Sequence, residues 1–243
     1  DTCDVCTGET LSCRDPFQPQ DKDELQAAVD LWVDVNATAV ATHGTINTWD
    51  VSLITDMYQL FRNKATFNDD ISNWDVSSVT NMGYMFKNAS NFNQNISSWD
   101  VQNVISIGGI FKGAENFNQD ISSWDVSNVT NMTYFFEGAK RFNQDISSWD
   151  VSSVTNMGAM FDNVTALSDE NKCAIHTAFS SNGNWSYDWS DTCPFQPQTT
   201  EELQTAVDLW VSDNASALST YGEINTWDVS LITDMEELFK DKT

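Results

Sequence analysis

Apolar and polar positions follow one another along this chain on a fixed 25-residue beat. Trp49, Trp74, Trp99, Trp124 and Trp149 each precede Asp-Val, and Phe61, Phe86, Phe111, Phe136 and Phe161 keep the same spacing, as do Phe67, Phe92, Phe117 and Phe142. A period of this length marks stacked coils, each of which buries its apolar side only against its neighbours. In the coil that starts at Ile71, the alternation Ile71-Ser72-Asn73-Trp74 predicts a short strand. Asp75-Val76-Ser77-Ser78 predicts a turn, because Asp and Ser side chains bond readily to nearby amides. Thr80 or Asn81 then fits a helix N-cap, and Met82, Met85, Phe86 and Ala89 share one face of a short helix. Phe92 to Asn95 leads back to the next strand. The expected fold is therefore an α/β solenoid whose coils are a short parallel strand plus a short helix, with Trp74, Val76, Val79, Met82, Phe86 and Phe92 pointing inward.

The third coil breaks this scheme. Ile107-Gly108-Gly109-Ile110 stands where helix formers are expected, and each glycine weakens a helix by roughly 1 kcal/mol. Either the coil is distorted there or something packs closely against it.

The pattern also predicts helical caps. Leu25, Ala28, Val29 and Trp32 form one apolar face, Asp21-x-x-Glu24 and Thr199-x-x-Glu202 fit capping boxes, and a second helix is expected from Asp169 to Ser180. A longer repeat is superimposed: Phe17–Phe61 returns as Phe195–Phe239, with 32 of 45 positions identical. The expected organisation is a Cys-containing junction over 1–16, a capping helix within 17–45, a five-coil solenoid over 46–170, a C-terminal cap over 171–193, and a linker, capping helix and first coil of a second module over 194–243. Two prolines in the Pro194–Gln198 linker make it short and stiff. The chain stops partway through that last coil, so a longer tandem array is expected.

Charge narrows the choice of partners. Thirty-six Asp and Glu against eleven Lys and Arg give a formal charge of −25, which repels nucleic acid and anionic membranes. No run of 18 apolar residues is present, so no membrane span is predicted, and Asp1-Thr2-Cys3 carries no signal-peptide pattern.

The five cysteines are assigned as two disulfides and one half. Cys173 pairs with Cys193 across the C-terminal cap. Asp191-Thr192-Cys193 reappears as Asp1-Thr2-Cys3, so Cys3 pairs with a preceding module and Cys6 with Cys13. Zinc on Cys3-x-x-Cys6 lacks a second ligand pair. Eight glycosylation sequons occur, at Asn36, Asn88, Asn95, Asn128, Asn131, Asn163, Asn184 and Asn214. Together with disulfides they point to an extracellular glycoprotein.

Little in the chain suggests chemistry. The Asp50, Asp75, Asp100, Asp125 and Asp150 ladder invites calcium, but the Gly-rich turns of calcium-binding β-helices are absent, and turn or helix amides are the favoured partners for these carboxylates. His43 is replaced by Tyr221 in the second copy, and His176 falls in a cap helix. No Ser-His-Asp pattern, phosphate loop or metal motif appears, so no enzyme and no cofactor are expected.

The phrase from Phe142 to Met157, FNQDISSWDVSSVTNM, closely resembles the repeat of the BspA-like surface proteins, a leucine-rich-repeat-like family. The resemblance covers about residues 46–170 and resumes at 224. It implies a right-handed solenoid, a surface or secreted location, adhesive or interaction roles for some members, and no catalytic residues. The favoured reading is an extracellular structural protein, one segment of a tandem-module fibre or stalk whose partners are copies of the same module. The alternative is an adhesin or receptor ectodomain that grips a partner on one solenoid face. That alternative requires exposed positions that vary on one face, whereas Ser72-Asn73, Ser97-Ser98, Ser122-Ser123 and Ser147-Ser148 are monotonous. A non-reduced peptide map is expected to join Cys173 to Cys193 and Cys6 to Cys13; a Cys3–Cys6 or Cys3–Cys13 peptide overturns the assignment.

Overall fold

A computed structural model of the chain describes residues 15–236 and 238–240; Cys3, Cys6 and Cys13 lie outside them. The chain divides into two compact units, the first ending at Tyr187 and the second beginning at Asp188. In the first, 25-residue coils stack on one another, but neither the predicted strands nor the predicted coil helices form. No strand exists among the described residues, only isolated parallel bridges that link Asp56 to Asn81, Asn81 to Ser106, Ser106 to Asn131 and Asn131 to Asn156. The α/β solenoid expectation is thus overturned.

The local reason lies in the turns. Where a strand was expected, the Trp74 amide closes back on the Ile71 carbonyl at 3.2 Å, and Asp70 Oδ1 accepts the Ser72 amide at 2.9 Å. Both bonds fold the chain too tightly for an extended segment. Where a helix was expected, Tyr84 and Asn88 adopt left-handed φ of 57° and 59°, which ends any helical run. Met85 and Lys87 donate to the carbonyls three residues back, while Tyr84, Phe86 and Asn88 donate to Gly108, Ile110 and Lys112 of the next coil. Met82, Met85, Phe86 and Ala89 still point inward, all fully buried. Turns of three residues bring the same positions inward as a helix would, so the apolar pattern alone does not separate the two.

The glycine pair of the third coil follows from this scheme. Gly109 occupies the left-handed position of Tyr84 and Tyr134, with φ of 62°. A Cβ there would run into the ring of Tyr84, which lies on it from the coil below. The close packing is real and the distortion is not.

Aromatic columns run through the core. The rings of Phe61, Phe86, Phe111, Phe136 and Phe161 stack with centroids 5.3, 5.8, 5.9 and 5.5 Å apart. Trp74, Trp99, Trp124 and Trp149 each donate their indole N–H to the Ile carbonyl 28 residues back, at 2.8–3.2 Å. Full burial of each such side chain stabilises by about 1.5–3 kcal/mol, and the indole bond removes the penalty of a buried donor.

Two helices, α1 (Lys22–Asp34) and α2 (Asn36–His43), stand where one was expected within 17–45. The break falls at Val35, whose φ and ψ of −142° and 65° leave the helical region. α1 buries Leu25, Ala28, Val29 and Trp32, the predicted face. Asp21 Oδ1 accepts the Glu24 amide, while the Glu24 side chain reaches the Gln20 amide rather than that of Asp21. Gln26 Nε2 donates to the Leu60 carbonyl at 3.0 Å, covering the open edge of the first coil.

At the other end, α3 (Asp169–Phe179) buries Ile175 and Phe179. The Tyr187 hydroxyl accepts the Phe161 amide at 2.8 Å and donates to Asp162 Oδ1 at 2.8 Å. It takes the place of the carbonyl that a further coil would offer, since Phe136 donates its amide to Met160 in the coil above. Burial and the neighbouring Asp162 carboxylate push the Tyr187 phenol well above its usual range. Cys173 and Cys193 are each in the disulfide-bonded state.

The second unit repeats the beginning of the first. Its helices α4 (Thr200–Ser212) and α5 (Asn214–Tyr221) have the lengths of α1 and α2. Asp228 donates its amide to Phe195 at 2.9 Å as Asp50 does to Phe17, and Gln196 bonds Asp228 as Gln18 bonds Asp50. Leu203, Ala206, Val207, Trp227 and Leu238 form its core.

Two outcomes follow. Gly109→Ala is expected to cost at least about 1–2 kcal/mol in urea unfolding, because L-residues resist left-handed φ and Tyr84 must move. The second concerns Asp125, whose carboxyl the Ser127 hydroxyl and then the Ser127 amide hold below its ordinary value. A pKa depressed on folding contributes stability above the unfolded value and loses it as pH falls through the folded one. Asp125→Asn, which keeps an acceptor oxygen, is therefore expected to lose less stability between pH 5 and pH 3 (roughly the carboxylate range) than the wild type in thermal melts.

Candidate functional site

The residues that suggested chemistry are absorbed by structure. Asp50, Asp75, Asp100, Asp125 and Asp150 each accept the amide two residues on, at 2.9–3.1 Å. Asp120 and Asp145 do the same with Ser122 and Ser147 at 2.9 Å. Hydrogen bonds of this kind lower the carboxyl pKa of Asp50, Asp120, Asp125 and Asp150. No group of three or more His, Cys, Asp or Glu residues that could hold a metal occurs among the described residues. His43 packs on Phe17 with ring centroids 4.1 Å apart, and Tyr221 fills the same place against Phe195 at 4.5 Å in the second unit. His176 Nδ1 accepts from the Trp185 indole at 3.1 Å.

The sequon asparagines do not form one site. Asn95, Asn128, Asn131 and Asn184 have side-chain hydrogen bonds to the backbone, Asn131 to the hydroxyl of its own sequon residue Thr133 as well. Asn88 Nδ2 donates to Asn63 Oδ1 at 2.9 Å, and all eight sequon asparagines are exposed. Two shallow hollows, of about 260 and 320 Å³, are lined mainly by the small polar residues of the Asp-Ser turns. Among the described residues no helix is long and apolar enough to cross a membrane.

A different surface stands out once exposure is known. The turn segment Tyr58–Thr66 and its copies one coil apart, 83–91, 108–116, 133–141 and 158–166, form one face of the first unit. Its inward positions are constant in character, but its outward ones change from coil to coil. Gln59 becomes Tyr84, Gly109, Tyr134 and Ala159; Arg62 becomes Lys87, Lys112, Glu137 and Asp162. Ala65 becomes Ser90, Glu115, Lys140 and Thr165. The opposite exposed positions stay small and polar, with Leu53, Gln102 and Ile105 as the departures.

Six of the eleven Lys and Arg residues of the chain lie in these turn segments, within a protein of net charge −25. Lys112 pairs with Glu137 at 2.5 Å and Lys140 with Glu115 at 2.8 Å, each across one coil. Ammonium groups also sit on tyrosine rings: Lys22 over Tyr58 and Lys87 over Tyr84 at 5.2 Å, and Lys112 over Tyr134 at 4.2 Å. A helix that buries Met82, Met85, Phe86 and Ala89 turns positions 84 and 87 outward as the turns do, so the face is present in the periodic pattern and its coil-to-coil variation marks it. The signal was the charge reversal at one register position, Arg62 to Asp162.

Comparison with known proteins gives a family and no activity. The family model described as "Mycoplasma protein of unknown function, DUF285" matches residues 33–119, 99–186 and 208–243. No curated protein matches the chain, and no solved structure does. Two of the matches fall in succession on the coil stack and the third on the returning segment, as expected for tandem repeats. With most of its length covered by these matches, the chain belongs to the DUF285 family of Mycoplasma proteins of unknown function.

Proposed function

We propose that this chain is a non-enzymatic recognition module in a tandem-repeat surface protein, and that the turn face of its coil stack is the contact surface. One observation carries the reading: exposed variation from coil to coil is concentrated on that face, while the Asp-Ser turns are nearly identical throughout. A surface that selects a partner needs distinct groups in distinct places, and a surface that only spaces or assembles does not. The sequence-based preference for a purely structural protein rested on the longer repeat, the stiff linker, the mid-coil ending and the Ser-Ser positions, and only the last of these bear on recognition; they belong to the monotonous side. The disulfide-bonded state of Cys173 and Cys193 supports an oxidising, extracellular setting.

The fibre or stalk reading keeps one specific support, the return of the α1–α2 cap as α4–α5 with the same contacts. In a tandem array each module presents its own turn face, so spacing and recognition coexist. All eight sequon asparagines are exposed, as glycan attachment at the surface requires.

The test is adhesion of the purified, fluorescently labelled chain to intact cells and to cell-free surface matrix, read by flow cytometry. Tyr58→Ala/Tyr134→Ala is expected to lower binding several-fold, with Ser97→Ala/Ser122→Ala unchanged. Equal loss in both variants, or no binding at all, overturns the recognition reading in favour of a structural role.

A further inference from the structure

We propose that the turn face binds an acidic glycan, a linear chain of sugars bearing carboxylate or sulfate groups; this rests on the recognition reading above. The first ground is charge. Arg62 and Lys87 occupy the same register position in successive coils and have no carboxylate partner among the described residues, and Arg141 is likewise without one there. Elsewhere the first unit is lined with exposed carboxylates, so the turn face is where an anion meets least repulsion.

The second ground is the kind of contact on offer. Strand-adding peptides need free main-chain groups at an edge and helical ones an apolar groove, whereas acidic motifs meet clusters of Arg. Here the turn amides from Tyr84 to Asn88 are all used, alternately within the coil and to the next one. What remains is side-chain chemistry: tyrosine faces for sugar C–H groups, cations for acidic groups, and the corner amides of Asn63 and Asn88 for hydroxyls. Tyr58 and Tyr134 are each 37% exposed. Polymer recognition also suits the repetition, because Arg62 and Lys87 offer a cation at the same position of successive coils.

The experiment is isothermal titration of the whole chain with an oligouronate and with a sulfated glycosaminoglycan oligosaccharide, at physiological and at high salt. Poly-glutamate and a neutral dextran oligomer serve as comparisons. The expected result is binding of at least one acidic oligosaccharide that weakens at high salt, drops at least tenfold in Arg62→Ala/Lys87→Ala, and is unchanged in Ser97→Ala/Ser122→Ala. Circular dichroism melts confirm that the variants fold, since both side chains are at the surface. The carboxylate and sulfate probes distinguish the acidic group preferred. Poly-glutamate binding as tightly overturns the glycan in favour of an acidic polypeptide. Undiminished binding by the Arg62/Lys87 variant overturns the site. No binding to either acidic oligosaccharide overturns this proposal alone, because the cell-adhesion result with Tyr58→Ala/Tyr134→Ala is read independently.

Discussion

Register between coils depends on a single alternation. In the first four turn segments the odd and even amides part company: one set closes three-residue turns within the coil, the other reaches the carbonyls of the next coil. That division requires left-handed backbone at two positions per coil, filled by Gln59 and Asn63, Tyr84 and Asn88, Gly109 and Gly113, Tyr134 and Gly138, and Ala159 and Asn163. A non-glycine residue held there costs about 1–2 kcal/mol. Three inter-coil hydrogen bonds per turn segment, each worth about 0.5–1.5 kcal/mol net, offset it together with ring burial. Everything else follows from the register: the Phe columns, the Trp-to-Ile indole bonds, and the outward row of variable side chains.

A stack held this way has two unlike edges, one offering carbonyls and the other amides, and each is closed by side chains of a cap. Gln26 covers Leu60, and Tyr187 covers Phe161. Asn182 Nδ2 donates to the Val151 and Val154 carbonyls at 2.8 and 2.9 Å. The closure is incomplete in one place: the Trp49 indole N–H is buried with no partner, because no earlier coil supplies the Ile carbonyl that its counterparts use. In the second unit Trp227 finds Gly222 instead, at 3.3 Å. Capped edges suit a module that ends where it is meant to, and they leave the lateral faces as the surfaces free for contact.

Those lateral faces differ in physical character. Asp and Asn turns repeat with little change because each carboxylate or amide is committed to an amide two residues on, so any other residue loses a turn bond. The turn face carries no such obligation. Its outward groups hold their backbone by φ and by inter-coil bonds, which leaves the side chains free to vary. Variation, aromatic rings and cations collect there because that is where the fold permits them.

The 25-residue period, the inward identity of Trp74, Phe86 and Phe92, the cap faces of α1 and α3, and the second copy of the cap were legible in the sequence. Repetition and apolar patterning encode burial directly. Secondary structure within the coil was not legible, since Met82, Met85, Phe86 and Ala89 turn inward equally well in a helix and in a series of three-residue turns. The choice was made by hydrogen bonds to the coils on either side, which no single coil contains. The left-handed backbone at Tyr84 and Asn88 was settled by that same choice. The sequence determined what is buried and, with it, what faces outward; the tertiary stack decided the backbone that carries these residues, because only neighbouring coils supply the carbonyls that fix it at 84 and 88.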